Sequence, residues 1–487
     1  MSDSKTDYMP TIGLEIHAEL QTRSKMFCGC KNDANERNPN VHACPICMGH
    51  PGTLPVINKE AVKKVLQVGA AVSGSLADFS EFDRKNYFYP DIPKGYQISQ
   101  YKFPLVAGGQ LAGVAITRIH LEEDTARSAH DSGTDTDQYS LVDFNRAGVP
   151  LMELVTEPVM HSADDVMRFG RELQLLLQYL GVSEANMEKG EMRVEVNISI
   201  SKNEKFGTKV EVKNINSFRA AGRAVEYEIK RQSELLDRGE SVQQETRGFD
   251  ESTGQTFSQR SKEDSHDYRY FPEPDLPKMK LSEISDFSLD VIRGSLLETP
   301  DQKRTRFIES YGVKTEDIEV YINNKSIADF FEKSVESLSL SGDKELAIKT
   351  LSNYVTSDIV GIIKKSEENA EVILTRIDPL RMATLIDMFG AQELSSRGVK
   401  DILGTMAKEG GDPRGIAESG NLIQKNDPEE VRKNMKEILS NNLSKVEEYK
   451  AGKESILQFF VGQGMKAAKG SGNPELIKQI FLELIKE

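Results

Sequence analysis

Between residues 13 and 20 the chain alternates strictly. Leu14, Ile16, Ala18 and Leu20 fall on one parity; Glu15, His17 and Glu19 fall on the other. A period of two predicts a strand with one buried and one polar face. The pattern returns three times. Over 119–124, His120, Glu122 and Asp124 share a face. Over 192–200, Arg193, Glu195, Asn197 and Ser199 oppose Met192, Val194, Val196, Ile198 and Ile200. Over 209–213, Lys209, Glu211 and Lys213 oppose Val210 and Val212. Gly, Pro, Asn and Asp turns punctuate these runs up to about residue 295. From Leu297 onward the spacing becomes i, i+3, i+4, which predicts helices over 344–363, 379–389 and 396–408. Gly410-Gly411-Asp412-Pro413 interrupts them. A last unit opens at Pro428-Glu429-Glu430 with a helix through Asn441. A second helix covers 456–469, and a third is capped by Asn473 with Pro474 at its first position.

The pattern therefore predicts an α+β chain in three parts. A strand-rich mixed α/β domain spans 1–295, an all-helical domain 296–408 and a small helical tail 409–487. The length of 487 residues fits this division at roughly 150 residues per domain. No heptad, solenoid period or low-complexity segment is present.

Hydrophobic residues at 38% and charged residues at 29% mark a folded globular chain, not a disordered one. A net charge of -15 excludes a simple nucleic-acid-coating protein, although a local basic path can sit on an acidic body. No apolar run approaches the ~20 residues that span a bilayer, so no membrane association is expected. Met1-Ser2-Asp3-Ser4-Lys5 has no apolar signal core, which predicts a cytoplasmic protein.

Any single charged strand face is best read as the solvated side of an antiparallel sheet. Four such faces, with Glu and His repeated among Lys and Arg, suggest more. Carboxylates crowded together repel unless a cation intervenes. Hard oxygen ligands suit Mg²⁺, which takes one or two carboxylates plus substrate phosphates. The alternating cations Arg193, Lys209 and Lys213 would meet those phosphates. The chain has no P-loop, no dinucleotide fingerprint after a strand and no G-x-S-x-G elbow, so any use of ATP lies outside those frameworks.

Two further stretches stand out. Residues 82–100 mix three tyrosines with cations, among them Lys85 beside Tyr87, and amides; two prolines and a glycine forbid a regular helix there. Such a stretch reads equally as an ordered structural loop or as a binding loop. Residues 143–150 and 265–272 have the same polar, turn-rich texture. The four cysteines form C-x-C-x13-C-x2-C: Cys28, Cys30, Cys44 and Cys47. Two short pairs separated by a loop suit a closed, structural four-thiolate Zn²⁺ site in a loop over 28–47, with four free buried thiols as the alternative. His42 and His50 are spare ligands or ordinary loop residues.

Taken together, 13–20, 82–100, 143–158, 190–197, 207–219 and 267–276 resemble the B subunit of the bacterial and organellar aspartyl/glutamyl-tRNA amidotransferases, and 459–467 resembles that family's tail. An archaeal paralogue carries a large insertion for which this chain has no room. The resemblance implies a heterotrimer with an A subunit, a glutaminase (amidase), and with a small C subunit. The B subunit would bind misacylated Glu-tRNA(Gln) or Asp-tRNA(Asn), phosphorylate the side-chain carboxylate with ATP, and amidate it with ammonia from the A subunit. It implies a strand-rich cradle, a helical domain and a tail that touches the tRNA. The family's Mg²⁺ site maps onto Glu15, His17, Glu122, Glu123, Glu195 and Glu211, with Glu15, His17, Glu122 and Glu211 at the chemistry. Many relatives carry aspartate where this chain has Glu195. ATP would meet Lys85, Tyr87, Arg193, Lys209 and Lys213, and an ammonia tunnel is expected to pass Lys85 and Tyr87. Glu19 has no place in the implied set and reads as a supporting or solvated residue. Arg376, Arg381, Lys466 and Lys469 are candidate tRNA-phosphate contacts, and equally ordinary surface cations.

Two other classes compete. A zinc-stapled tRNA scaffold without chemistry is disfavoured because acidic faces hinder polyanion binding. An ammonia-dependent ligase for a small amino acid is disfavoured because the helical parts would be superfluous.

Overall fold

A computed structural model of the chain describes residues 8–130, 140–261, 268–339, 343–424, 428–467 and 474–486. Met1–Lys5, His266, Asp267, Lys469 and Asn473 lie outside these. The chain divides into two compact units, Met1–Pro300 and Asp301–Glu487.

The first unit is built on a ten-stranded sheet. Its central strand is Met9–Glu19, which pairs antiparallel with Met192–Ser201 on one side and Pro150–Thr156 on the other. Val114–Glu123 continues the sheet beyond Pro150–Thr156, and Val210–Lys213 continues it beyond Met192–Ser201. The four alternating stretches thus become neighbours, with one unforeseen strand between two of them. The apolar parity points one way: Leu14, Ile16, Met152, Leu154, Val194, Val196, Ile119 and Leu121 are all buried. Against this layer pack helices absent from the sequence reading, at Lys59–Ala71, Ala163–Tyr179 and Phe218–Asp237. Each opens on a side-chain cap. Asn58 accepts from the amides of Glu60 and Ala61, Ser162 from Asp165 and Ser217 from Ala220, a contribution of about 1 kcal/mol each. The last two helices cross closely because glycines face each other's side chains. A Cβ on Gly170 would sit 2.6 Å from the Phe218 ring, and one on Gly222 2.9 Å from the Met167 sulfur. With helices on one face only, the other face of the sheet is left to polar side chains.

Residues 82–100 form a hairpin, Asp83–Asn86 with Tyr96–Ser99, and Phe271–Pro272 adds a third strand. The hairpin is stitched edge-on to the end of Val114–Glu123. Leu121 N donates to Gln100 Oε1 (3.0 Å), Gln97 Nε2 to the Glu123 carbonyl (2.7 Å) and Ser99 Oγ to Glu122 (2.9 Å).

The second unit is helical among its described residues. The expected helices stand at Pro379–Gly390, Ser396–Glu409, Pro428–Ser440, Ile456–Ala467 and Pro474–Leu484. The 344–363 run is instead interrupted by a π-helical segment, Tyr354–Ile359. Pro413–Ser419 packs on Ser396–Glu409 and Pro379–Gly390, and Gln424 N donates to the Glu393 carbonyl (2.8 Å). Val431, Met435, Ile456, Phe460, Ile477, Ile480 and Phe481 form a separate core for the last helices. Among the described residues no helix is long and apolar enough to cross a membrane.

Candidate active site

Strand register places the polar parity in rows. Arg193, His17, Glu153 and His120 stand side by side on four adjacent strands. Glu195 and Glu15 form the next row, and Glu211 lies opposite Asn197 one strand further out. Three overlapping groups have ligand atoms within 4.8 Å of one another: Glu15, His17 and Glu153; His120, Glu122 and Glu153; Glu15, Glu195 and Glu211.

Glu153 is the hub. Its carboxylate lies 3.4 Å from His17 Nε2, 3.2 Å from His120 Nε2 and 3.7 Å from Arg118. Burial would raise its pKa, but the two imidazoles hold it well below the usual carboxylate range. His17 also lies 3.6 Å from Glu122. Burial opposes its charged form, yet the hydrogen bond to Glu153 and the charges of Glu153, Glu122 and Glu195 raise it to about 9. Glu15 moves the other way for a carboxylate. Burial, then the charges of Glu153 and Glu195, push it up to about 7. Lys213 offsets part of this repulsion, 2.9 Å from Glu195 and 3.7 Å from Glu211, and Thr246 donates to Glu211 at 2.7 Å. The face thus holds more carboxylate than its own cations neutralise, and raised pKa values take up the difference. Oxygen-rich ligands of this kind fit a hard divalent cation.

Of the residues singled out from the sequence, Glu15, His17, Glu122, Glu195, Glu211 and Lys213 are brought together. Arg193 borders them, its guanidinium 2.6 Å from Asp124. Lys85 and Tyr87 arrive on the hairpin. Glu123 is not in the cluster: it points to the opposite side of its strand, where its carboxylate is paired with Lys94 and accepts from Ile98 N at 2.9 Å. Alternation explains this, since Glu122 and Glu123 cannot share a face. Lys209 is exposed just before its strand begins. Glu19 is not a solvated residue. It is half-buried beside Asp124, Arg193 and Arg146, and burial and the Asp124 charge push it up to about 8. Arg376 is held bidentate by Glu368 at 2.7 Å, Arg381 donates to the Arg376 carbonyl, and Lys466 is exposed.

Sequence reasoning missed Glu153 and left His120 without a role. Pro150–Thr156 reads Pro-Leu-Met-Glu-Leu-Val-Thr, an apolar run in which alternation is hidden. The one signal was the lone carboxylate, since a charge in such a strand needs a partner.

The four cysteine sulfurs also converge within 4.8 Å, with Cys44 and Cys47 3.9 Å apart, and all four are free thiols. The Cys28–Cys47 contact lowers the Cys47 thiol to about 5 and raises that of Cys28, so the pair shares one proton, while burial raises Cys30 to about 11. A closed four-sulfur set fits a structural metal. His42 lies instead near Asp33 and Glu36, and His50 is exposed.

Comparison with known proteins agrees with this architecture. Residues 10–285 match the family model described as GatB/GatE catalytic domain, and 329–485 match the one described as GatB domain. The chain is 42% identical over 490 residues to the B subunit of the Aspartyl/glutamyl-tRNA(Asn/Gln) amidotransferase of Persephonella marina, covering 99% of this chain and 100% of that protein. It is 42% identical to the corresponding protein of Caldicellulosiruptor saccharolyticus over 98% of this chain and 99% of the relative. For that of Crocosphaera subtropica the identity is 40%, over 99% and 98%. Matched along nearly its whole length, the chain belongs to the family of tRNA amidotransferase B subunits.

Proposed function

We propose that this chain binds misacylated Glu-tRNA(Gln) and/or Asp-tRNA(Asn), activates the side-chain carboxylate with ATP, and converts it to the amide with ammonia from a glutaminase partner. The carrying observation is the convergence of Glu15, His17, Glu122, Glu153, Glu195 and Glu211 on one sheet face. A scaffold that only bound RNA would gain nothing from concentrating carboxylates there.

Glu15, Glu153, Glu195 and Glu211, with His17, would hold Mg²⁺. When bound, the ion would neutralise phosphate charge that the protein's own cations leave unmatched. Lys213, Arg118, Arg193 and Lys85 border the face and supply positive charge toward phosphate oxygens. In the first step a carboxylate oxygen of the aminoacyl group bonds to the γ-phosphorus, and the bond to the bridging oxygen breaks to release ADP. In the second, ammonia bonds to the acyl carbon, phosphate leaves, and the nitrogen loses a proton. His17, which Glu153 favours as the imidazolium in the metal-free face, would give up that proton to ligate the ion. The hairpin walls the site from water, which would otherwise hydrolyse the activated carboxylate; Lys85 and Tyr87 on it are proposed to line the ammonia path.

The four cysteines would hold Zn²⁺ as a covalent staple for the 28–47 loop. The assembly would be a cytoplasmic heterotrimer of this chain with the glutaminase and the small third protein, the tRNA being held by the helical parts. The packing of Pro413–Ser419 onto the preceding helices favours placing the tail boundary nearer 425 than 408. The test is ATP turnover by the reconstituted assembly. ADP should form with misacylated tRNA and not with correctly acylated or uncharged tRNA; equal turnover with all three would refute the proposal.

A further inference from the structure

Lys85 is the half-buried cation whose situation differs most from its neighbours'. Arg84 next to it is spent on Glu273, at 2.7 and 2.8 Å, and Lys213 is spent on Glu195 and Glu211. The Lys85 backbone pairs with Gln97, but its side chain makes no hydrogen bond or ion pair with any described residue. Its Nζ sits instead over aromatic rings, 5.0 Å from the Tyr268 centroid and 5.9 Å from that of Tyr87. These rings lie 5.8 Å apart, and Tyr270 follows 6.0 Å from Tyr268. A ring face stabilises an ammonium through its quadrupole without accepting its protons as a carboxylate would. The N–H donors stay unspent. Burial disfavours the charge, but nearby Glu122 leads the groups that raise the Lys85 pKa above its ordinary value.

Tyr268 does not reach Lys85 by chance of loop packing. Asn86, the neighbour of Lys85, grips the backbone beside Tyr268: its amide donates to the Tyr268 carbonyl at 3.0 Å, and its Nδ2 donates to the carbonyls of Tyr268 (3.1 Å) and Arg269 (2.9 Å). Arg269 is held at φ +42°, a conformation that L side chains resist. Phe271 and Pro272 then pair with Arg84 and Asp83. Strain of this kind persists only where the surroundings over-determine it, and it clusters where side chains must be aimed.

We propose that Tyr268 is a positioning residue: with Tyr87 it cages the Lys85 ammonium so that its N–H donors stay available for an anionic oxygen of the reacting carboxylate and phosphate. This rests on the function proposed above. Asn86 serves the cage by fixing where Tyr268 sits. The ring, and not the hydroxyl, is what the cage needs.

The experiment uses the reconstituted assembly and measures kcat and KM for tRNA-dependent amide formation in Lys85→Met, Tyr268→Leu, Tyr268→Phe and the Lys85→Met/Tyr268→Leu pair. Tyr268→Leu should lower kcat about tenfold, and Tyr268→Phe should restore it to within about twofold. In the Lys85→Met background, Tyr268→Leu should cost nothing further. Equal losses in Tyr268→Phe and Tyr268→Leu, or multiplicative losses in the double variant, would overturn the cage while leaving Lys85 in the site. Wild-type activity in Lys85→Met would overturn the placement of Lys85 in the reaction, and the cage with it. If Tyr268→Leu fails to fold, Asn86→Ala replaces it in the cycle under the same criteria.

Discussion

The first unit gathers metal-type ligands in two places, and builds them by opposite means. The cysteine cluster comes from two short pairs within twenty residues of chain, Cys28/Cys30 and Cys44/Cys47, and its ligands are sequence neighbours before they are spatial ones. The carboxylate face takes its members from five strands spread between Glu15 and Glu211, joined only by lateral register. The first can form wherever the loop can close. The second exists only when the whole sheet has paired correctly, since a slip of one residue on any strand turns its ligands to the helix side. The proposed staple and the proposed reaction site therefore differ in what they ask of the fold.

Breaking the carboxylate face should have the largest effect. Glu15→Ala or His17→Ala should lower amide formation by at least about a hundredfold, with tRNA binding retained in a filter or gel-shift assay. Unchanged amide formation would remove the face from the chemistry. Breaking the staple should act on stability instead. Cys28→Ser with Cys47→Ser should abolish bound zinc in metal analysis and lower unfolding free energy by about 3 kcal/mol, visible as an earlier thermal transition.

The two sites also differed in legibility. The cysteine spacing announced its cluster because both pairs are local. Glu15, His17, Glu195 and Glu211 were readable because alternation sets parity. Parity also tells Glu122 from Glu123, a distinction that the family resemblance blurred. Glu153 was hidden because its neighbours on the same face, Leu151 and Val155, are apolar, and register cannot be read from one strand. The covering helices at 163–179 and 218–237 were masked by the strands around them, though Ser162 and Ser217 are ordinary caps. The 82–100 stretch showed its tyrosines and cations, but not that Tyr268 would join them from a distant segment.

Smaller changes sharpen the contrast. Glu19 has a folded pKa near 8, above its unfolded value, so the folded state binds its proton more tightly. Its stabilising contribution is complete below the unfolded pKa and is lost as pH rises toward and past 8. Glu19→Gln should therefore match the parent at pH 4 and exceed it by about 1 kcal/mol at pH 9 in denaturant unfolding. No difference between the two pH values would show that Glu19 titrates normally. Thr246→Val removes the hydroxyl that holds Glu211, at a cost of about 1 kcal/mol. It should weaken the apparent Mg²⁺ dependence of amide formation severalfold while leaving zinc content untouched, so that the two sites respond separately.

The most direct measurement concerns Glu153, on which the rows from both sides converge. Misacylated-tRNA-dependent ADP formation should be compared between the wild-type assembly and Glu153→Ala, with tRNA binding and bound zinc measured on the same samples. The predicted result is loss of ADP formation with tRNA binding and zinc intact. ADP formation at the wild-type rate, with the sheet still folded, would contradict the claim that this face activates the carboxylate.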